Sequence, residues 1–87
     1  MYIVLMYDIN TKRVGKVHKI IKQYLNWIQN SVFEGSITEK KFNELKRKLK
    51  IIIKENEDSI IYFETLTKKN LTFDITGIEK NKYEKFL

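Results

Sequence analysis

Near the start of the chain, Tyr2-Ile3-Val4-Leu5-Met6-Tyr7 is an unbroken apolar run with no period-two alternation, and it stops at Asp8. Such a run reads as a strand buried on both faces and central in its sheet, with a carboxylate at its mouth. The loop Ile9-Asn10-Thr11 follows, and then Val14, Val17, Ile21, Tyr24 and Leu25 recur at three- and four-residue spacing. That spacing predicts an amphipathic helix from about Thr11 to Leu25, capped by Asn10 or Thr11. Its outward stripe is Lys12, Lys16, Lys19 and Gln23, flanked by Arg13 and Lys22, a basic ridge that begins beside Asp8. Gly15, inside this helix, reads either as an unimportant surface position or as a place for close backbone or phosphate approach.

The segment Trp27–Glu34 is rich in strand formers and reads as one long bent strand or as two short ones broken near Asn30 or Gly35. A second helix, about Glu39 to Lys54, turns Phe42, Leu45, Leu49, Ile52 and Ile53 inward, and its mixed outer charges resemble an ordinary solvated face. The polar turn Glu55–Asp58 leads into another apolar strand, Ser59–Glu64, and clean alternation over Leu71–Thr76 predicts a further strand with one buried face. We expect a single domain over residues 1–76 and a charged tail over residues 77–87, ending in Tyr83, Phe86 and Leu87, that docks on a partner or stays loose. The interleaving of strands and helices predicts an α+β sandwich, one mostly antiparallel sheet with two helices on one face. Tyr62, Phe63, Val32 and Phe33 carry more apolar surface than two helices cover, which predicts a homodimer with sheet facing sheet.

Composition narrows the chemistry. The 87-residue chain has no cysteine, which removes disulfides, zinc–thiolate sites and thiol nucleophiles, and its one histidine, His18, has no second histidine to share a metal. A bound metal would need oxygen ligands, which favours Mg²⁺, or Mn²⁺ in its place. No stretch approaches the ~20 apolar residues that span a bilayer, and the apolar start has no basic leader, so we expect a cytoplasmic protein without a membrane partner. The net charge of +6 and a pI of about 9.5 suit a polyanion. Asp8 has two readings. It either accepts backbone N–H groups in the strand-to-helix turn, or it is chemical; one carboxylate holds Mg²⁺ poorly, but a two-fold axis near the strand end would supply a second Asp8.

Tyr7-Asp8-Ile9 after an apolar strand, Arg13 and Lys16 opening the first helix, Gln29-Asn30-Ser31-Val32-Phe33-Glu34-Gly35 before the second, and Asp58-Ser59-Ile60 opening the next strand together resemble the second Cas family of CRISPR-associated proteins. The resemblance covers about Met1 to Leu66. It implies a ferredoxin-like fold, a homodimer with a C-terminal strand added to the partner's sheet, and spacer acquisition alongside the Cas integrase. It also implies Mg²⁺-dependent endonuclease activity on RNA or double-stranded DNA. Position by position, it makes Asp8 the metal-binding aspartate, Tyr7 its aromatic neighbour, Arg13 a basic residue near the site, and Ser31 and Phe33 part of the Ser-Val-Phe motif at the cleft. The catalytic candidates are thus Asp8, Tyr7, Ser31 and Phe33, and the nucleic-acid-binding candidates Lys12, Arg13, Lys16 and Lys19. The chain departs from the pattern in having only two arginines, Arg13 and Arg47, and in placing Asn26-Trp27-Ile28 where relatives often carry an arginine. Lysine contacts phosphate without bidentate geometry. Two other functions compete with the nuclease: a non-catalytic DNA-binding scaffold, and a toxin-like ribonuclease related to the virulence-associated D proteins.

Overall fold

The computed structural model describes residues 1–66. Strands β1 (Tyr2–Asp8), β2 (Asn26–Gln29), β3 (Val32–Ser36) and β4 (Ser59–Thr65) alternate with helices α1 (Thr11–Lys22) and α2 (Glu39–Ile52). The sheet order is β2-β3-β1-β4, and every neighbouring pair is antiparallel. This is the expected ferredoxin-like sandwich, with β1 between β3 and β4. Full pairing on both sides of β1 explains its unbroken apolar run. The strand expected over Leu71–Thr76, the domain limit at residue 76, the tail over residues 77–87 and the C-terminal strand added to a partner lie outside the described residues.

Alternation along β1 sorts its side chains onto two faces. Ile3 and Leu5 point at the helices and join Val17, Ile21, Leu25, Phe33, Phe42, Leu45 and Leu49 in the core, with Ile9 completing it beyond the strand. Tyr2, Val4, Met6 and Asp8 point the other way. Tyr62 was expected to leave the second face apolar, but it packs edge-on against Phe42 on the helix side, with ring centroids 5.3 Å apart. Phe33 belongs to the same core, so of the four residues expected on the helix-free face Phe63 and Val32 lie there, joined by Ile61; Ile61 and Phe63 are each about half exposed.

Helix α1 ends earlier than its apolar spacing suggested. Over Gln23-Tyr24-Leu25 the backbone tightens, Gln23 N–H bonding Ile20 O and Tyr24 N–H bonding Ile21 O, while Leu25 remains buried and Tyr24 half-buried. Three-residue bonds at a helix end keep the inward residues inward while the chain turns toward β2. The stretch Trp27–Glu34 resolves as two strands joined by a tight turn at Asn30-Ser31, where Gln29 pairs with Val32. Asn30 takes φ 46°, a left-handed conformation that asparagine tolerates. The Trp27 indole Nε1 donates to the Asn30 carbonyl at 2.9 Å, bracing the turn. Helix α2 is capped by Thr38, whose hydroxyl accepts the Lys41 N–H at 3.2 Å.

Candidate functional site

Asp8 ends β1 on the helix-free face and is exposed. Its cross-strand partner in β4 is Ser59, also exposed. On the other side, Tyr7 N–H donates to the Ser31 carbonyl at 3.1 Å, which brings the Asn30-Ser31 turn alongside the same strand end. Among the described residues no hydrogen bond or ion pair engages the Asp8 carboxylate, so the alternative reading of Asp8 as a turn-capping acceptor does not apply. That task falls to others. Asn10 caps α1, its side chain accepting the Lys12 N–H at 3.0 Å, and Asp58 accepts the Asn10 N–H at 2.8 Å.

Tyr7 and Phe33 do not join Asp8. Period-two alternation sends Tyr7 to the opposite face of the sheet, where its ring lies 6.1 Å from that of Phe33 and its hydroxyl shares a 3.2 Å hydrogen bond with His18 Nδ1. The imidazole sits edge-on to Trp27 and Phe33, both with ring centroids at 5.0 Å. Burial pushes the Tyr7 phenol above its ordinary value, keeping it neutral. Phe33 is 0% exposed, so no substrate reaches its ring without unfolding β3. Phe33 thus lies in the core and Tyr7 packs partly buried against it, and together they shape the strand end from the helix side. Ser31 keeps its place beside the site as a half-buried turn residue.

The basic ridge also divides. Lys12, Lys16 and Lys19 are exposed, and among the described residues no carboxylate pairs with them. Arg13 is withdrawn from the ridge. Its Nε and Nη2 donate to Asp58 Oδ2 and Oδ1 at 2.7 and 3.0 Å, Glu57 lies 3.6 Å from it, and its side chain is only 13% exposed. A guanidinium already forked onto a buried carboxylate has few donors left for phosphate. Lys22 packs over the Trp27 ring at 5.8 Å. A Cβ added at Gly15 would meet nothing within 4 Å, so close helix packing does not require that glycine.

As for metal, the described residues hold no group of three or more His, Asp or Glu side chains that could form a site. Among the described residues Asp8 is thus a lone carboxylate at this strand end, and its exposure and lack of partners there fit an oxygen-liganded cation once a second carboxylate joins it. A cleft of about 540 Å³ lined by Tyr24, Thr38, Lys41, Glu44 and Lys48 also includes Ser36, which pairs with Tyr2 at the far end of β1. It is therefore remote from Asp8. No helix among the described residues is long and apolar enough to cross a membrane.

Comparison with known proteins agrees with this geometry. A family model described as CRISPR associated protein Cas2 matches residues 1–72. A relative from Dictyoglomus turgidum, named CRISPR-associated endoribonuclease Cas2, is 52% identical over the full length of both chains. A relative of the same name from Pyrococcus furiosus is 45% identical over 87 residues, again the whole of both chains. A crystal structure of Cas2 superimposes with a TM-score of 0.85 at 42% identity, covering 92% of this chain and 90% of that one. The sheet order, the two helices on one face and these matches establish that the chain belongs to the Cas2 family of CRISPR-associated proteins.

Proposed function

We propose that two copies of this chain pair through their helix-free sheet faces and cleave phosphodiester bonds of RNA, or of double-stranded DNA, with the two Asp8 carboxylates sharing one Mg²⁺ or Mn²⁺. The observation that carries this reading is Asp8 itself, an exposed carboxylate without a partner among the described residues, at the end of the strand that leads into the helix bearing the exposed Lys12, Lys16 and Lys19. The half-exposed Ile61 and Phe63 on the same face support the pairing, since a contiguous apolar face favours a self-complementary contact. The name carried by the relatives favours RNA as substrate. We place the activity in the cytoplasm, in spacer acquisition together with a Cas integrase subunit.

Each side chain has a limited task. The Asp8 pair would hold the cation, which when bound lowers the pKa of water and offsets charge on the phosphodiester. Lys12, Lys16 and Lys19 bind the phosphates that follow along the strand, fixing register without reading sequence. Tyr7 and Phe33 hold the end of β1 rigid from beneath. Among the described residues no histidine or second acid joins Asp8 at this strand end, so Asp8 is the side chain this reading assigns to the water.

The test mixes the protein with RNA and duplex DNA, with Mg²⁺ or EDTA. Cleavage should need the metal and vanish in Asp8→Ala; undiminished cleavage by that variant would remove the metal role. A second reading, a DNA-binding scaffold that bridges integrase subunits, is favoured by the loss of Tyr7, Phe33 and Arg13 from the reactive surface while three lysines remain. For a scaffold, Asp8→Ala leaves integration intact.

A further inference from the structure

Asp58 opens β4 as part of the Asp58-Ser59-Ile60 motif, yet it takes no part in the chemistry proposed above. Its side chain is fully buried, and its two oxygens accept four hydrogen bonds from three separate segments. Oδ1 accepts the Asn10 N–H at 2.8 Å from the loop just after Asp8, and Arg13 Nη2 at 3.0 Å from the first turn of α1. Oδ2 accepts Arg13 Nε at 2.7 Å and the Lys54 N–H at 2.8 Å from the turn that follows α2. A second strand of contact runs in parallel, Asn10 Nδ2 donating to Glu57 Oε1 at 3.3 Å. The next residue, Ser59, is the cross-strand partner of Asp8.

One buried carboxylate thus ties the Asp8 loop, the start of α1 and the turn before β4 into a single joint at the mouth of the sheet. We propose that Asp58, through Arg13 and the Asn10 amide, is the positioning residue that fixes the Asp8 carboxylate in place. This rests on the reading of Asp8 as the metal-holding group. A strand end is where pairing frays first, and a carboxylate shared across two subunits tolerates little wander, because misplacement by about 1 Å in such a site costs on the order of 100-fold in rate. The Arg13 guanidinium, with the two backbone amides, holds the Asp58 carboxyl well below the ordinary carboxylate range, so it is anionic and the fork is closed near neutral pH, where cleavage is measured. Asparagine at position 58 would turn an NH₂ donor toward at least one of these donors and open the joint without changing the side-chain volume.

The test compares the full-length protein with Asp58→Asn, Arg13→Lys and Asp8→Asn, using Mn²⁺ and a single-stranded RNA as probes. Asp58→Asn should speed hydrogen exchange at the Asp8 and Asn10 amides about tenfold or more relative to Leu5 and Phe33 in the core. It should weaken Mn²⁺ binding, read by electron paramagnetic resonance, and lower kcat by about tenfold or more while KM moves less than about threefold, since the lysines hold the phosphates independently. If Asp58→Asn does not fold, Arg13→Lys, which keeps the two backbone bonds to Asp58, serves for the same comparison with smaller changes in the same direction. Unchanged exchange at Asp8 and Asn10 overturns the proposal. So do wild-type kcat and Mn²⁺ affinity in a variant whose exchange has risen. Cleavage and Mn²⁺ binding that survive Asp8→Asn, or that are absent from the wild type, overturn the reading of Asp8 instead, and the exchange measurement then judges the joint alone.

Discussion

Replacing Phe33 by alanine should cost stability and spare chemistry. The ring is 0% exposed, sits on β3 directly beside the central strand, and meets Tyr7 and His18 at centroid distances of 6.1 and 5.0 Å. Truncating a fully buried phenylalanine removes its transfer free energy and leaves a cavity, together about 3–5 kcal/mol; the lost ring contacts belong to that sum. A domain of this size has a total stability of roughly 4–13 kcal/mol, so the loss is a large fraction of it. At about 4–8 °C per kcal/mol for a small domain, the midpoint should fall by roughly 12–40 °C. Phe33→Leu retains much of the volume and should cost on the order of 1.5 kcal/mol. Circular dichroism melts give the midpoints. RNA cleavage is then measured for each variant well below its own midpoint and expressed per folded molecule. Under those conditions Phe33→Leu should cleave within about twofold of wild type. A folded Phe33→Leu protein that is slower by about tenfold or more would refute the core assignment, because the ring would then have to act on substrate or on Asp8 directly.

Three further predictions concern pH and salt. Because the folded carboxyl of Asp58 titrates far below its unfolded value, its stabilisation is complete above about pH 4 and is lost as acid carries the pH down toward the folded value; Asp58→Asn should flatten that acid limb of the melting midpoint. Burial raises the Tyr62 phenol to about 12, so its contribution is complete below pH ~10 and is lost as pH climbs from there to the folded value, and Tyr62→Phe should soften the alkaline limb. Six lysines, Lys12, Lys16 and Lys19 from each of two subunits, should give a slope of log K against log salt of roughly −5 on duplex DNA, its magnitude smaller by about 1 for each lysine that makes no phosphate contact; a flat response would remove the ridge as a phosphate track.

Much of this architecture could be read from local pattern. The unbroken run Tyr2–Tyr7 announced a strand paired on both sides, and the spacing of Val14, Val17, Ile21 and Leu25 named the face of α1 that meets the sheet. Asp8 stood out because it ended that run. The errors have common physical roots. Periodicity marks which residues face inward, but it does not tell a helix from a tightened turn that keeps them inward, so α1 was drawn three residues too long. Tyr7 and Asp8 are neighbours in sequence and therefore opposite in a strand; their alternation was already a signal that both could not face one site. Arg13 looked like a helix-surface cation because its partner, Asp58, lies 45 residues away and no local pattern carries such a pairing. The sequence around Asp58 shows only a motif residue before a strand, because its partners Asn10 and Arg13 are 48 and 45 residues away.

The central position of β1 also bears on how this chain can vary. Hydrogen-bonded to β3 on one edge and β4 on the other, it cannot gain or lose a residue between Met1 and Asp8 without exchanging its two faces, burying the carboxylate among helices and presenting a tyrosine to solvent. The length of this segment is therefore held by both neighbouring strands at once, a constraint that the turn at Asn30-Ser31, bordering one strand pair only, does not carry.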